Sequence, residues 1–155
     1  MKKFLAGIII FIFTAVFLNG NVKAQAQANI LGIWKTVADE GPDKGKAKSH
    51  VEIFEKNGAY FGKVIKLLLK PQDTLCDKCK GDLKNKPVLG MIFLQNLKKT
   101  GKVDEDFGEE YAGGTIMDPD KGETYRSKMW VKGDTLTSRG YLAFFFRTQT
   151  WSRVK

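Results

Sequence analysis

Histidine occurs once in the 155 residues, cysteine twice and proline four times. With His50 the sole imidazole, a multi-histidine metal site and a histidine-based acid–base centre are excluded. Acids are outnumbered, 17 Asp and Glu against 26 Lys and Arg, which gives a formal charge of +9. No glycine-rich nucleotide loop is present. Neither acidic stretch, 104–110 or 118–122, places glycine and glutamate at the spacing of a calcium loop; the second would need an acid where Met129 stands. No residue set asks for a metal or a cofactor, and an enzymatic role is the less favoured class.

What is present begins with a leader pattern. Met1-Lys2-Lys3 precedes fifteen uncharged residues, 4–18, then Asn19-Gly20 and Val22-Lys23-Ala24. A basic start, a short apolar run and small residues before a cut describe a secretory signal peptide, too short for a comfortable membrane span. Cleavage after Ala24, or after Ala26, removes it. The first cut takes 24 residues and three lysines, leaving 25–155 as one domain of 131 residues and charge +6. That places the chain in the periplasm or outside the cell, away from genomic nucleic acid despite its basic charge. No cysteine near the cut offers a lipid anchor.

The remaining chain reads as short strands over 31–37, 48–56, 59–69, 89–97, 111–117, 124–131, 135–141 and 148–154, with no helical period. Asn57-Gly58 is a strong hairpin signal because both residues tolerate positive φ. Asp118-Pro119-Asp120-Lys121-Gly122 and Lys132-Gly133-Asp134 carry turn chemistry. About eight such strands predict an all-β fold, a small antiparallel barrel of the lipocalin or streptavidin kind, since closure removes exposed edges. Recurrent Lys and Arg on the strands argue against a barrel facing lipid. Residues 71–87 and 98–110 read as long connections, the second as a solvated acidic loop.

Three groups of residues carry possible chemistry. Cys76 and Cys79 in an exported protein predict a disulfide that stiffens the first long connection; Lys78 and Lys80 nearby leave thiol–disulfide exchange as the alternative. Alternation on the last strand puts Arg147, Gln149, Trp151 and Arg153 on one face. Arg153 is expected to stack on Trp34 and close one end of the barrel, while Arg139 or Arg147 would turn inward to hold an anionic head group. The run 141–146, apolar without alternation, is expected to be core or to lie at a pocket mouth.

Gly32-x-Trp34 on a first strand with an arginine on the last resembles the lipocalin-type, or calycin, barrels. The succession Gly32-x-Trp34-Lys35-Thr36, Cys76-Asp77-x-Cys79-x-Gly81, Lys86-Pro87-x-x-Gly90-Met91, Gly113-Gly114-Thr115-Ile116-x-Asp118-Pro119, Gly122-x-x-Tyr125, Arg139-Gly140-Tyr141 and Gln149-Thr150-Trp151-x-Arg153 resembles an exported bacterial family of unknown function. That resemblance covers nearly the whole mature chain. It implies a lipocalin-like barrel in the cell envelope and transfers no catalytic residues.

The expected function is a barrel holding one small apolar or amphipathic molecule. Phe61, Ile65 and Leu67 with Ile92 and Leu94 would line the cavity, and Tyr125, Arg139, Arg147 and Trp151 would anchor its polar part. Binding of anionic envelope components through Lys44, Lys46 and Lys48, or Lys84 and Lys86, is a further alternative.

Overall fold

Turn chemistry and alternation produce eight antiparallel strands: β1 (Gly32–Val37), β2 (Ala47–Lys56), β3 (Ala59–Leu67), β4 (Ile92–Asp104), β5 (Gly108–Asp118), β6 (Glu123–Lys132), β7 (Thr135–Leu142) and β8 (Phe145–Arg153). Each pairs with the next and β8 returns to β1, so the sheet is a closed barrel. This computed structural model describes residues 29–155, and the expected leader and cleavage site lie outside the described residues.

Strand directions set two ends. The turns at 57–58, 105–107 and 133–134 lie at one end with the entry to β1; the loops 38–46, 68–91, 119–122 and 143–144 lie at the other. The first end is packed shut. Ile30, Trp34, Ile53, Leu94, Leu97, Met129, Val131 and Leu136 are all buried in the core. Trp34 Nε1–H donates to the Ile30 carbonyl at 2.8 Å. The Arg153 guanidinium lies 4.2 Å from the Trp34 ring centroid and donates to the Leu31 carbonyl at 2.8 Å and the Asn29 carbonyl at 2.6 Å. One planar cation therefore covers an indole and satisfies carbonyls of the entering chain.

The seam between β1 and β8 is short. Only Trp34 with Arg153 and Lys35 with Ser152 stand in register, whereas β5 and β6 pair along nearly their full length. Toward the open end the two strands are joined by side chains, chiefly Arg147 of β8 to Asp39 and Glu40 just beyond β1.

One expectation needs correction and a second is narrowed. Residues 98–110 are not a loop: β4 and β5 continue as a hairpin arm with its turn at 105–107, where the Asp104 carboxylate accepts from the amides of Asp106 and Phe107 at 2.9 and 3.0 Å. The arm is exposed along 98–104, so no alternation marks it as strand. The run 141–146 is not core but lies at the pocket mouth, the other place expected for it: Leu142, Phe145 and Phe146 line the cavity. It spans the end of β7, the turn at 143–144 and the start of β8, with Phe144, Phe145 and Phe146 exposed at 84%, 67% and 60%.

Candidate functional site

The half of the barrel away from the Trp34 plug encloses an open cavity of about 470 Å³, within the range of small-molecule sites. Its inner wall is apolar: Val51 of β2, Val64 and Leu67 of β3, Phe93 of β4, Met117 of β5 and Trp151 of β8 line it. Phe93 and Trp151, with ring centroids 6.2 Å apart, meet in this wall and are buried. Small polar groups interrupt the wall. Thr36 and Ser49 hydroxyls lie 2.8 Å apart across β1 and β2, and Ser138 of β7 faces the same space.

The rim is ionic. Arg147 donates through Nε and an Nη to both oxygens of Asp39, and reaches Glu40 at 3.3 Å. Lys121 pairs with Glu40 at 3.0 Å. Lys48 and Lys70 hold the two oxygens of Asp120 at 2.7 and 2.6 Å. Burial by itself would favour a neutral Asp39, but hydrogen bonds from Arg147 and Gln149 and the Arg147 charge outweigh it and lower its pKa. Burial likewise opposes the charge on Asp120, yet Lys48 and Lys70 bring its pKa down to about 2. Tyr125 moves the other way, to about 12, through burial and its hydrogen bond to Glu123 at 2.7 Å. Gln149 links rim to wall, accepting from Trp151 Nε1–H at 3.0 Å while it serves Asp39.

Part of the entrance is formed by residues 71–91. Their backbone is tied to itself, Cys76 N–H to the Lys86 carbonyl and Val88 N–H to the Thr74 carbonyl, both at 2.9 Å, so the segment is a compact loop in its own right. Cys76 and Cys79 form a disulfide inside it and are 1% and 2% exposed. The Cys79 sulfur lies 3.8 Å from Met117 Sδ, in the barrel wall. Gly122, at φ +68°, lets the β5–β6 turn press against this loop, because a Cβ there would strike the Lys78 carbonyl. Burial denies the disulfide the access that exchange with another thiol requires.

Known proteins decide the lineage. The family described as "Uncharacterized protein conserved in bacteria (DUF2147)" matches residues 32–153. The chain belongs to that family. The match runs from the first residue of β1 to the last of β8, so the DUF2147 unit is the barrel itself. A solved structure from Helicobacter pylori, protein HP1028, described as belonging to the lipocalin family, is similar with a TM-score of 0.67. The similarity covers 83% of this chain and 84% of that one at 24% identity, which speaks to fold. No curated protein matches.

The DUF2147 barrel brings some of the expected anchors together and separates others. Tyr125, Arg147 and Trp151 line the cavity. Arg139 does not: its neighbours Ser138 and Gly140 face inward, and its guanidinium packs outside over the rings of Phe146, Trp130 and Phe107 at 4.7, 5.2 and 5.8 Å. Arg147 is turned to the rim, but its charge is already taken by Asp39 and Glu40 rather than free for an anionic head group.

Wall residues shift as well. Phe61 and Ile65 do not line the cavity; Gly62 and Val64 are the buried positions of that stretch, and a bulge against β2 between Val64 and Lys66 then returns Leu67 to the inside. Phe93 stands in the wall where Ile92 was expected; Ile92 is exposed and Leu94 belongs to the packed core. Of the lysines proposed for anionic partners, Lys46 is paired with Asp43 and Lys48 with Asp120, whereas Lys84 and Lys86 are exposed. Asp39, Glu40, Lys121 and Asp120 are the functional candidates missed from sequence. The signal for the first two was an acidic pair directly after a strand beside the arginine-bearing last strand.

Proposed function

We propose that this DUF2147 chain is an exported carrier that holds one small amphipathic molecule, apolar part against Val51, Val64, Phe93 and Trp151, polar part at the ionic rim. The observation that carries the reading is the cavity of about 470 Å³, apolar within and ringed by paired charges. Acids and bases at the rim neutralise one another, so the arrangement suits a neutral or dipolar head better than a bare carboxylate, which would have to displace Asp39 from Arg147. The DUF2147 match and the lipocalin-like neighbour support the barrel on which this rests; the leader pattern supports export.

The test is native mass spectrometry of protein produced with its own leader, followed by organic extraction, together with titration of an apolar fluorescent probe read by Trp151 quenching. A filling change, Val64→Trp, is expected to weaken probe binding at least about tenfold, since the indole would occupy the space a ligand needs. A folded Val64→Trp barrel that binds the probe as before would refute an interior site.

A further inference from the structure

The β7–β8 turn is an exposed aromatic tip that the carrier reading leaves unused. Leu142, Phe144, Phe145 and Phe146 are all more than half exposed and stand together at the open end. Phe144 and Phe145 pack ring to ring at 4.5 Å, so the tip is a preformed apolar knob. Exposed apolar clusters of this kind mark docking sites. Leu142, Phe145 and Phe146 also line the cavity entrance, which makes the knob continuous with the interior.

Charge tells what covers it. From Thr124 to Arg153 the chain carries six bases and one acid, Asp134, and that acid lies in the β6–β7 turn at the opposite end. Lys128 is paired with Glu110, Lys132 with backbone carbonyls of the β4–β5 arm, Arg147 with Asp39 and Arg153 with Asp134. Arg126 and Arg139 remain on the outer face, cross-strand neighbours of Tyr141 and Lys128, with no carboxylate partner among the described residues. Glu123, the acid just before this stretch, accepts from the Tyr125 hydroxyl.

We propose that this tip docks on an anionic phospholipid bilayer: Phe144 and Phe145 enter the headgroup boundary, and the exposed Arg126 meets a lipid phosphate, whereas Arg139 stays packed over Phe146 and Trp130. An apolar edge flanked by arginine is the pattern of interfacial binding, in which apolar burial and attraction to anionic lipid add. Docking this way sets the cavity mouth against the bilayer, where an amphipathic molecule would enter or leave.

The experiment is sedimentation of the secreted chain with vesicles of phosphatidylcholine, with and without phosphatidylglycerol. Binding is expected only with phosphatidylglycerol. Phe144→Ser combined with Phe145→Ser is expected to weaken it at least about tenfold, and Arg126→Gln about fivefold, with unchanged thermal melts because these side chains are exposed. Tryptophan emission of Phe144→Trp is expected to shift to the blue on phosphatidylglycerol vesicles. Absence of vesicle binding, or binding equal in the Phe144→Ser/Phe145→Ser variant, overturns the proposal. So does a vesicle-free dimer abolished by the same variant, which would make a second copy the occupant. Probe loading in vesicle-free buffer is read separately, so failure of the interior site and failure of the docking tip are distinguishable.

Discussion

Arg153 shows how much one side chain contributes at the closed end. It stacks on Trp34, donates to two carbonyls of the entering segment and pairs with Asp134 at 3.2 Å. Arg153→Ala removes all of these together and leaves an indole uncovered. The expected cost is about 2–3 kcal/mol in urea unfolding, with probe binding at the other end unchanged. Asp120 gives a pH prediction. Its folded pKa, about 2, lies below the ordinary 3.8, so its pairing with Lys48 and Lys70 stabilises fully above that ordinary value and is lost as pH falls toward 2. The ions are partly exposed, so the effect is below about 1 kcal/mol. Asp120→Asn is expected to flatten the melting temperature between about pH 4 and 2, checked by calorimetry against the parent protein. Sequence alone named Arg153 and Trp34 as partners because first and last strands meet in any closed barrel. It did not name Asp39 as the partner of Arg147, since 108 residues separate them and nothing local marks the pair.

Among the elements, the loop 71–91 and the β5–β6 turn form one assembly, joined where Gly122 meets Lys78 and where Cys79 meets Met117. The disulfide closes a small ring inside it. Replacing Cys76 and Cys79 together by serine is expected to cost about 2 kcal/mol and to weaken probe binding several-fold, because Thr74, Leu75 and Val88 of the same loop line the cavity. Unchanged binding with a lower melting temperature would confine the disulfide to stability. The cysteine pair was legible from its spacing and from the leader pattern. The faces of β3 and β4 were not: each bulge against a neighbour inverts which side chains point inward, and bulges answer to barrel curvature rather than to local composition.

On the scale of the whole molecule, the barrel is closed unequally. β5 and β6 are paired along most of their length, while β1 and β8 share two register positions. Amide hydrogen exchange is therefore expected to be slowest in the centres of β5 and β6. It should be fastest, among the strands, in the halves of β1 and β8 nearest the open end. Arg147→Ala, which unties β8 from Asp39 and Glu40, is expected to raise exchange there further and leave β5 and β6 unchanged. Uniform exchange across the barrel would show that the seam is not its weak point. The packed Trp34 end supplies the stability that the hollow end lacks.

The sequence by itself determined the number and order of the strands, the Asn57-Gly58 hairpin, the family and the closed antiparallel barrel, because period, turn residues and spaced motifs are local properties; it missed the extension of β4 and β5 through 98–110. Only the tertiary structure decided that the cavity lies at the end away from Trp34 and that Phe93 rather than Ile92 faces it. It also decided that Arg139 points outward and that the run 141–146 is an exposed tip at the pocket mouth, the second of the two places expected for it. These depend on curvature, register and partners far apart in the chain, where a shift of one residue moves a side chain from one side of the wall to the other.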